Sequence, residues 1–354
     1  MSVSSCPVDR MRQTGSVTWT GSGLLPGWGL APATPSDVAA LTDLLRRHEE
    51  RARGWASATA AELSVVVPGA GPATRQNLVV RDAQGVARGW GSTHDRAAGR
   101  MLLAVVVDPL LEEGDADTVA RSLFAWGDSI GAQVGSARGL QVQQVDSGAF
   151  AGDERQQRWL ERAGYSRVRT WWQMSRPVLP SEAGSPDLPG VRIRRVVGGA
   201  DGMPDERDLR TVHDILEDSF ADHFNSHEET FDEFVLRLQE DPGHRWDHWW
   251  IAELLEDGVA AGALVGSVSN GGGDRPDGSY VDYVGVLPAA RGRGVAKGLL
   301  RTAIADAAAL GRDRVDLEVD ADSPTGAEAL YVSMGWSTRY VTESWHKEVR
   351  VGSR

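Results

Sequence analysis

A single cysteine, Cys6, occurs in 354 residues, so neither an intrachain disulfide nor a cysteine-rich metal site can form. No apolar run approaches the roughly 20 residues that span a bilayer, and Met1 to Ser16 is polar where a secretory leader would be apolar. Positive charge is scarce. Against 50 Asp and Glu stand 37 Lys and Arg, a net charge of −13, which argues against nucleic-acid binding because a basic face normally supplies its affinity. The histidines His213, His223, His227, His244 and His248 carry no zinc-helix signature, and no Gly-x-Ser-x-Gly turn supports a Ser-His-Asp hydrolase. What remains is an ordinary globular composition, 41% hydrophobic and 25% charged, of a length that suits two domains. A cytoplasmic protein without metal or membrane contact is the expectation.

The chain repeats one plan on either side of the Pro-, Ser- and Gly-rich stretch Val178 to Asp187, which reads as a linker. Leu25-Pro26-Gly27-Trp28 opens one half and Leu188-Pro189-Gly190-Val191 the other. A helical stretch follows in each, Ser36 to Arg53 and Glu206 to Phe220. Hairpins come next, around Asp82-Ala83-Gln84-Gly85 and Glu256-Asp257-Gly258. Each half then has a β-run ending near a proline, Met101 to Val107 and Tyr280 to Val286, and a helix, Asp117 to Ile130 and Gly294 to Leu310. Further strands, Leu140 to Val145 and Val315 to Asp320, lead to a short helix and to the pairs Gly164-Tyr165 and Gly335-Trp336. The offset between copies drifts from 163 residues at Pro26 and Pro189 to 179 at Pro109 and Pro288, as loop insertions in duplicated domains would produce. The order predicts two tandem α/β (α+β) units, each a mixed, mostly antiparallel sheet with helices on both faces. Residues 1–22 form a tail, 23–177 and 188–354 the two units, and 178–187 the linker.

The turn Arg291-Gly292-Arg293-Gly294-Val295-Ala296-Lys297 follows a strand and opens an amphipathic helix, with Val295, Leu299, Ile304 and Ala307 at helical spacing. Glycines there let a ligand's phosphates approach backbone N–H groups that the first helical turn leaves unpaired. From Ala289 to Ala305 four cations, Arg291, Arg293, Lys297 and Arg301, occur with no acidic residue. In so acidic a chain, that is a basic island suited to a polyanionic cofactor. The pattern is neither the dinucleotide fingerprint nor a P-loop.

The run Val284-Gly285-Val286-Leu287-Pro288-Ala289-Ala290-Arg291-Gly292-Arg293-Gly294-Val295-Ala296 resembles motif A of the GNAT superfamily of N-acetyltransferases, Gln/Arg-x-x-Gly-x-Gly/Ala. Leu317-Glu318-Val319 and Ala329-Leu330-Tyr331 with Gly335-Trp336 resemble its next motif. The resemblance covers about Leu188 to Val351 and implies acetyl-CoA as co-substrate. Main-chain groups of Val284, Gly285 and Val286 are then expected to meet the pantetheine arm, and Arg291 to Lys297 the pyrophosphate. It also implies Tyr331 as the acid that protonates the leaving thiolate. The first half keeps the plan and loses the chemistry. Leu110-Leu111-Glu112-Glu113-Gly114-Asp115-Ala116-Asp117 puts four carboxylates where phosphates would lie, and Leu160 stands in for Tyr331. A tandem arrangement with one working copy is similar to mycothiol synthase-type GNAT proteins.

The base stays open between Glu318, mid-strand where an unpaired charge is costly, Asp282, and a water relay through either. Alternation places 280, 282, 284 and 286 on one strand face. Trp246, Trp249 and Trp250 read as packing around a strand, and Asp222 and Glu228 as acidic residues able to attract a cationic amine. The function expected is transfer of acetyl from acetyl-CoA to a small-molecule or peptide amine in a ternary complex. The alternative is a non-catalytic acyl-CoA sensor or scaffold.

Overall fold

The structure, a computed structural model, describes residues 23–67, 74–95, 100–184, 188–199, 203–221, 229–239, 244–271, 275–323 and 326–352. Asp222, His223, His227 and Glu228 lie outside them.

In the first half the elements are β1 (Gly29–Pro32), α1 (Val38–Arg53), α2 (Ala60–Val66), β2 (Arg75–Arg81), β3 (Ala87–Asp95), β4 (Arg100–Val107), α3 (Glu113–Ala137), β5 (Val142–Phe150), α4 (Glu154–Arg162) and β6 (Ser166–Pro177). The second half gives β7 (Val191–Arg195), α5 (Glu206–Phe220), α6 (Phe231–Gln239), β8 (His244–Leu254), β9 (Ala260–Ser269), β10 (Gly278–Val286), α7 (Val295–Ala309), β11 (Arg314–Asp320), α8 (Ala327–Ser333) and β12 (Ser337–Arg350). Helix ends follow local chemistry. α1 stops at Gly54, whose φ of 84° is open to glycine, and α2 starts on a capping box between Thr59 and Glu62.

All twelve strands form one sheet in the order β1-β2-β3-β4-β5-β12-β6-β11-β10-β9-β8-β7. The repeat is visible in it, but the last strands are exchanged. β12 lies against β5, pairing Thr342 to Arg350 with Phe150 to Val142. β6 lies against β11, pairing Trp171 to Pro177 with Asp320 to Arg314, and β6 and β12 pair with each other at the centre. Side chains follow the strands. Trp345 and Val349 of β12 sit in the core of the first half with α3, and Met174 of β6 sits in the core of the second with α7. The boundary in space therefore does not fall at the linker, because the last strand of residues 23–177 lies between two strands of the second half.

Helices cover both faces. α3 and α7 bury the two large cores named above. On the opposite face α1 and α2 close a cluster around Leu41, Leu44 and Trp90, while α5 and α6 close another around Val212, Phe234 and Trp249. Between these two helix pairs the central strands floor a trough. Trp249 faces α5 and α6 and Trp250 faces α7, so this pair is core packing. Among the described residues no helix is long and apolar enough to cross a membrane.

Candidate active site

β10 and β11 run parallel and pair only at Ser279 to Val281 with Val315 to Leu317. Beyond that point they splay. β10 keeps its bonds to β9 through Val286, so the β11-facing edge of Val284, Gly285 and Val286 has no strand beside it. Peptide groups on such an edge can hydrogen-bond an amide-bearing ligand.

A bulge at Asp282 breaks the register between Val281 and Tyr283 and corrects the strict alternation expected for β10. Val281, Val284 and Val286 pack toward α7, whereas Tyr283 packs toward α5. One extra residue shifts every later side chain to the other face. Tyr280, which looks into the trough, and Val284 are thus on opposite faces.

At the mouth of the splay stands the N-terminus of α7. Gly292 and Gly294 take φ of 78° and 81°, a left-handed geometry that costs other residues roughly 1–2 kcal/mol. Gly294 is the cap residue and no side chain caps the helix. The first-turn amides of Val295, Ala296 and Lys297 are therefore available, with the positive end of the helix dipole behind them. Arg291, Lys297 and Arg301 make no ion pair among the described residues, although nearly every other arginine nearby does. Arg293 meets Glu256 at 2.9 Å in a solvent-exposed pair, the kind of contact that contributes little and exchanges readily. From Lys297 a cavity of about 500 Å³ runs past Arg301 to Ser333 and Met334 at the end of α8, with Arg176 of β6 and Glu182 on its wall.

Tyr331 lies on α8 within the α7-side core, its ring edge-on to Trp336 at 6.0 Å. Burial pushes its pKa up to about 12, so it stays protonated at neutral pH. Glu318 points the other way. Its neighbours Leu317 and Val319 face α7, and alternation turns Glu318 to the trough. There it lines a cavity of about 500 Å³ together with Asp146, Arg169, Trp171, Thr342 and Glu343. The other carboxylates on this wall are neutralised: Asp146 by Arg100 at 2.8 Å and Glu343 by Arg167 at 2.9 Å. Among the described residues Glu318 has only the Gln173 amide. Water reaches it through the cavity mouth, yet the walls exclude enough solvent to raise its carboxyl above the usual range, with the Gln173 bond opposing. Acid and base candidates thus flank the splay from opposite faces. Asp282 sits on the bulge between them.

The first half supplies an internal control. β4 and β5 pair at Arg100 to Leu102 and then splay in the same way. Here the opening is bolted: Gln156 of α4 donates its amide N–H groups to Val105 O on β4 and Gly148 O on β5, each at 3.2 Å. Its counterpart in the second half is Ala327, too short for such a bridge. Leu160, the counterpart of Tyr331, is fully buried. The acidic stretch is helix rather than loop, with Glu113 and Asp115 in the first turn of α3. Asp117 accepts from Trp159 Nε1 at 2.6 Å and from Arg162 at 2.6 Å, and Glu113 meets Arg158 at 3.1 Å, so α3 and α4 are tied together where α7 and α8 stand apart. Sequence reasoning named the carboxylates but missed Gln156, Gln173 and the Lys297–Arg301 groove. Comparing Gln156 with Ala327 along the repeat would have found the first.

Comparison with known proteins agrees with this geometry. The model of the acetyltransferase (GNAT) family matches residues 209–336. A mycothiol acetyltransferase of Thermobispora bispora is 32% identical over 191 residues, 52% of this chain and 59% of that protein. The chain thus matches less than two thirds of that relative's length. Among solved structures, a GCN5-related N-acetyltransferase from Sphaerobacter thermophilus superimposes with a TM-score of 0.74 at 23% identity, covering 93% of this chain and 98% of that one. A tandem GNAT protein from the clavulanic acid biosynthesis pathway gives 0.68 at 16% identity, covering 92% and 100%.

Proposed function

The chain belongs to the GNAT family of acetyltransferases, in its tandem form, and from that premise we propose that its second half transfers acetyl from acetyl-CoA to a primary amine by direct attack in a ternary complex. The observation that carries this reading is the contrast between the two splays. One is open beside an uncapped helix start and beside Arg291, Lys297 and Arg301, which have no carboxylate partner among the described residues; the other is bolted by Gln156 and fronted by acids.

Acetyl-CoA would lay its pyrophosphate on the amides of Val295 to Lys297 and its pantetheine along Val284 to Val286, which brings the thioester to the apex of the splay. The acceptor enters from the trough. Its ammonium gives one proton to solvent. The neutral amine attacks the thioester carbonyl, forming C–N and a tetrahedral oxyanion, whose collapse then breaks C–S. Glu318 takes the second amine proton, directly or through water, and Tyr331 protonates the departing thiolate. Free amides of the β10 edge stabilise the oxyanion between these steps. Proton exchange with solvent restores Tyr331 and Glu318. The balance is one amide, one free CoA thiol and one proton released.

Calorimetric titration of acetyl-CoA into the wild type and Gly294→Glu tests the site. One-site micromolar binding that is abolished by the glutamate supports it. Folded wild type that gives no heat sinks it. Release of CoA thiol on adding amines then separates an enzyme from a non-catalytic sensor.

A further inference from the structure

Beside Glu318 in the trough lies a smaller cavity of about 190 Å³, walled by Trp55, Tyr280 and Tyr340 and polar at Gln173, Asp316 and Arg339. Two of its polar groups have no hydrogen-bond partner among the described residues. Asp316 Oδ2 accepts from Ser269 Oγ at 2.5 Å and Arg314 Nε at 2.9 Å, and Asp316 Oδ1 is buried with no hydrogen-bond partner among the described residues, a costly state for a carboxylate oxygen. Arg339 is solvent-exposed where it borders the cavity, its guanidinium 4.6 Å from the Trp55 ring centroid, and it forms no ion pair or hydrogen bond among the described residues. Arg53 stacks on the same ring at 3.7 Å yet is satisfied by Glu49 at 2.9 Å and Ser57 at 2.6 Å. Arg275 and Arg314 add positive potential at Arg339, and Asp316 adds negative.

A carboxylate and a cation with no anionic partner among the described residues line one small space, an arrangement that suits a ligand with a donor and an anion side by side. A third group fixes its length. Asp316 and Glu318 are two residues apart on β11, so they share a face about 6.6 Å apart at strand rise. That separation is the scale of the two nitrogens of a short diamino acid. Tyr280 and Tyr340 offer apolar walls to the methylene chain between them.

We propose that this cavity binds the amino-acid end of a diamino-acid acceptor, with its α-carboxylate on Arg339, its α-ammonium on the Asp316 carboxylate and its distal amine presented at Glu318. The assignment of the distal amine to Glu318 rests on the function proposed above, whereas recognition by Arg339 and Asp316 does not. The first half takes part through Trp55, which positions Arg339, and through Glu62, which accepts from Asn270 Nδ2 at 2.6 Å on the same rim.

The test is calorimetric titration of L-ornithine and L-lysine, and of their carboxylate-free counterparts putrescine and cadaverine, into the full chain saturated with CoA. The wild type binds a diamino acid at least about tenfold more tightly than its diamine, the order expected of one charge-assisted contact. Arg339→Gln, with an unchanged melting temperature, erases that preference. Equal affinity for both members of a pair, or no binding of either by protein that binds CoA, overturns the proposal. Ornithine or lysine binding in protein that binds no CoA instead keeps the cavity's ligand and removes the acetyltransferase reading.

Discussion

Burial raises the pKa of both Glu318 and Tyr331, with different consequences for chemistry. A phenol pushed up remains a proton donor across the working range. Tyr331→Phe should lower kcat by at least about a hundredfold, the usual scale for a lost general acid, while acetyl-CoA affinity measured by calorimetry stays within about twofold. A carboxyl pushed up becomes a better base but must still ionise, so kcat/KM rises with pH through its raised pKa. Glu318→Gln should flatten that acid limb, and a limb that survives the change moves the base to Asp282 or to water. The same shift is a statement about stability. Glu318 is harder to ionise folded than unfolded, so its relative contribution is fully present below the unfolded pKa and lost as pH rises through the folded one. Glu318→Gln should therefore melt above the wild type at about pH 8 and match it near about pH 4, as calorimetric scans would show.

At the scale of elements, the start of α7 and the body of α4 give opposite outcomes at equivalent places. Gly294→Ala forces a left-handed residue to carry a Cβ, costing roughly 1–2 kcal/mol and weakening acetyl-CoA binding, readable by denaturant titration and calorimetry. Gln156→Ala removes two hydrogen bonds between buried strands and should cost about 1–3 kcal/mol. It should not create a second cofactor site, because the first turn of α3 still carries Glu113 and Asp115, so acetyl-CoA stoichiometry stays at one per chain. Most elements were legible. The α7 helix read as Gly294 to Leu310 is Val295–Ala309, because glycine, periodicity and cations are local signals. α3, read from Asp117, begins at Glu113: carboxylates that look like a loop are favourable in a first helical turn. The bulge at Asp282 was not legible, since it answers to the register of β9 beside it.

For the whole molecule the exchange of β6 and β12 matters most. Each half lends the other a strand with its core side chains, Trp345 in one direction and Met174 in the other. Neither half is complete alone. Residues 23–177 and 188–354 produced separately should each fail to give a cooperative melt, and mixing them from the unfolded state should restore one. The intact chain should unfold in a single transition with calorimetric and van't Hoff enthalpies in agreement. Two independent transitions would show that the halves are separable after all.

The duplication, the helix periods, the glycines of the 291–297 turn and the loss of positive charge from the first copy are all properties of neighbours along the chain, and the sequence by itself determined them. Which strand lies beside which is a different kind of fact. Backbone hydrogen bonds are the same for every partner, so β6 and β12 could have paired at home on local pattern alone, and only side-chain packing across the whole sheet selects the exchange. The trough, the walls around Glu318, and the meeting of Trp55, Asp316 and Arg339 depend on that selection. They join residues far apart in the chain, and tertiary structure alone decided them.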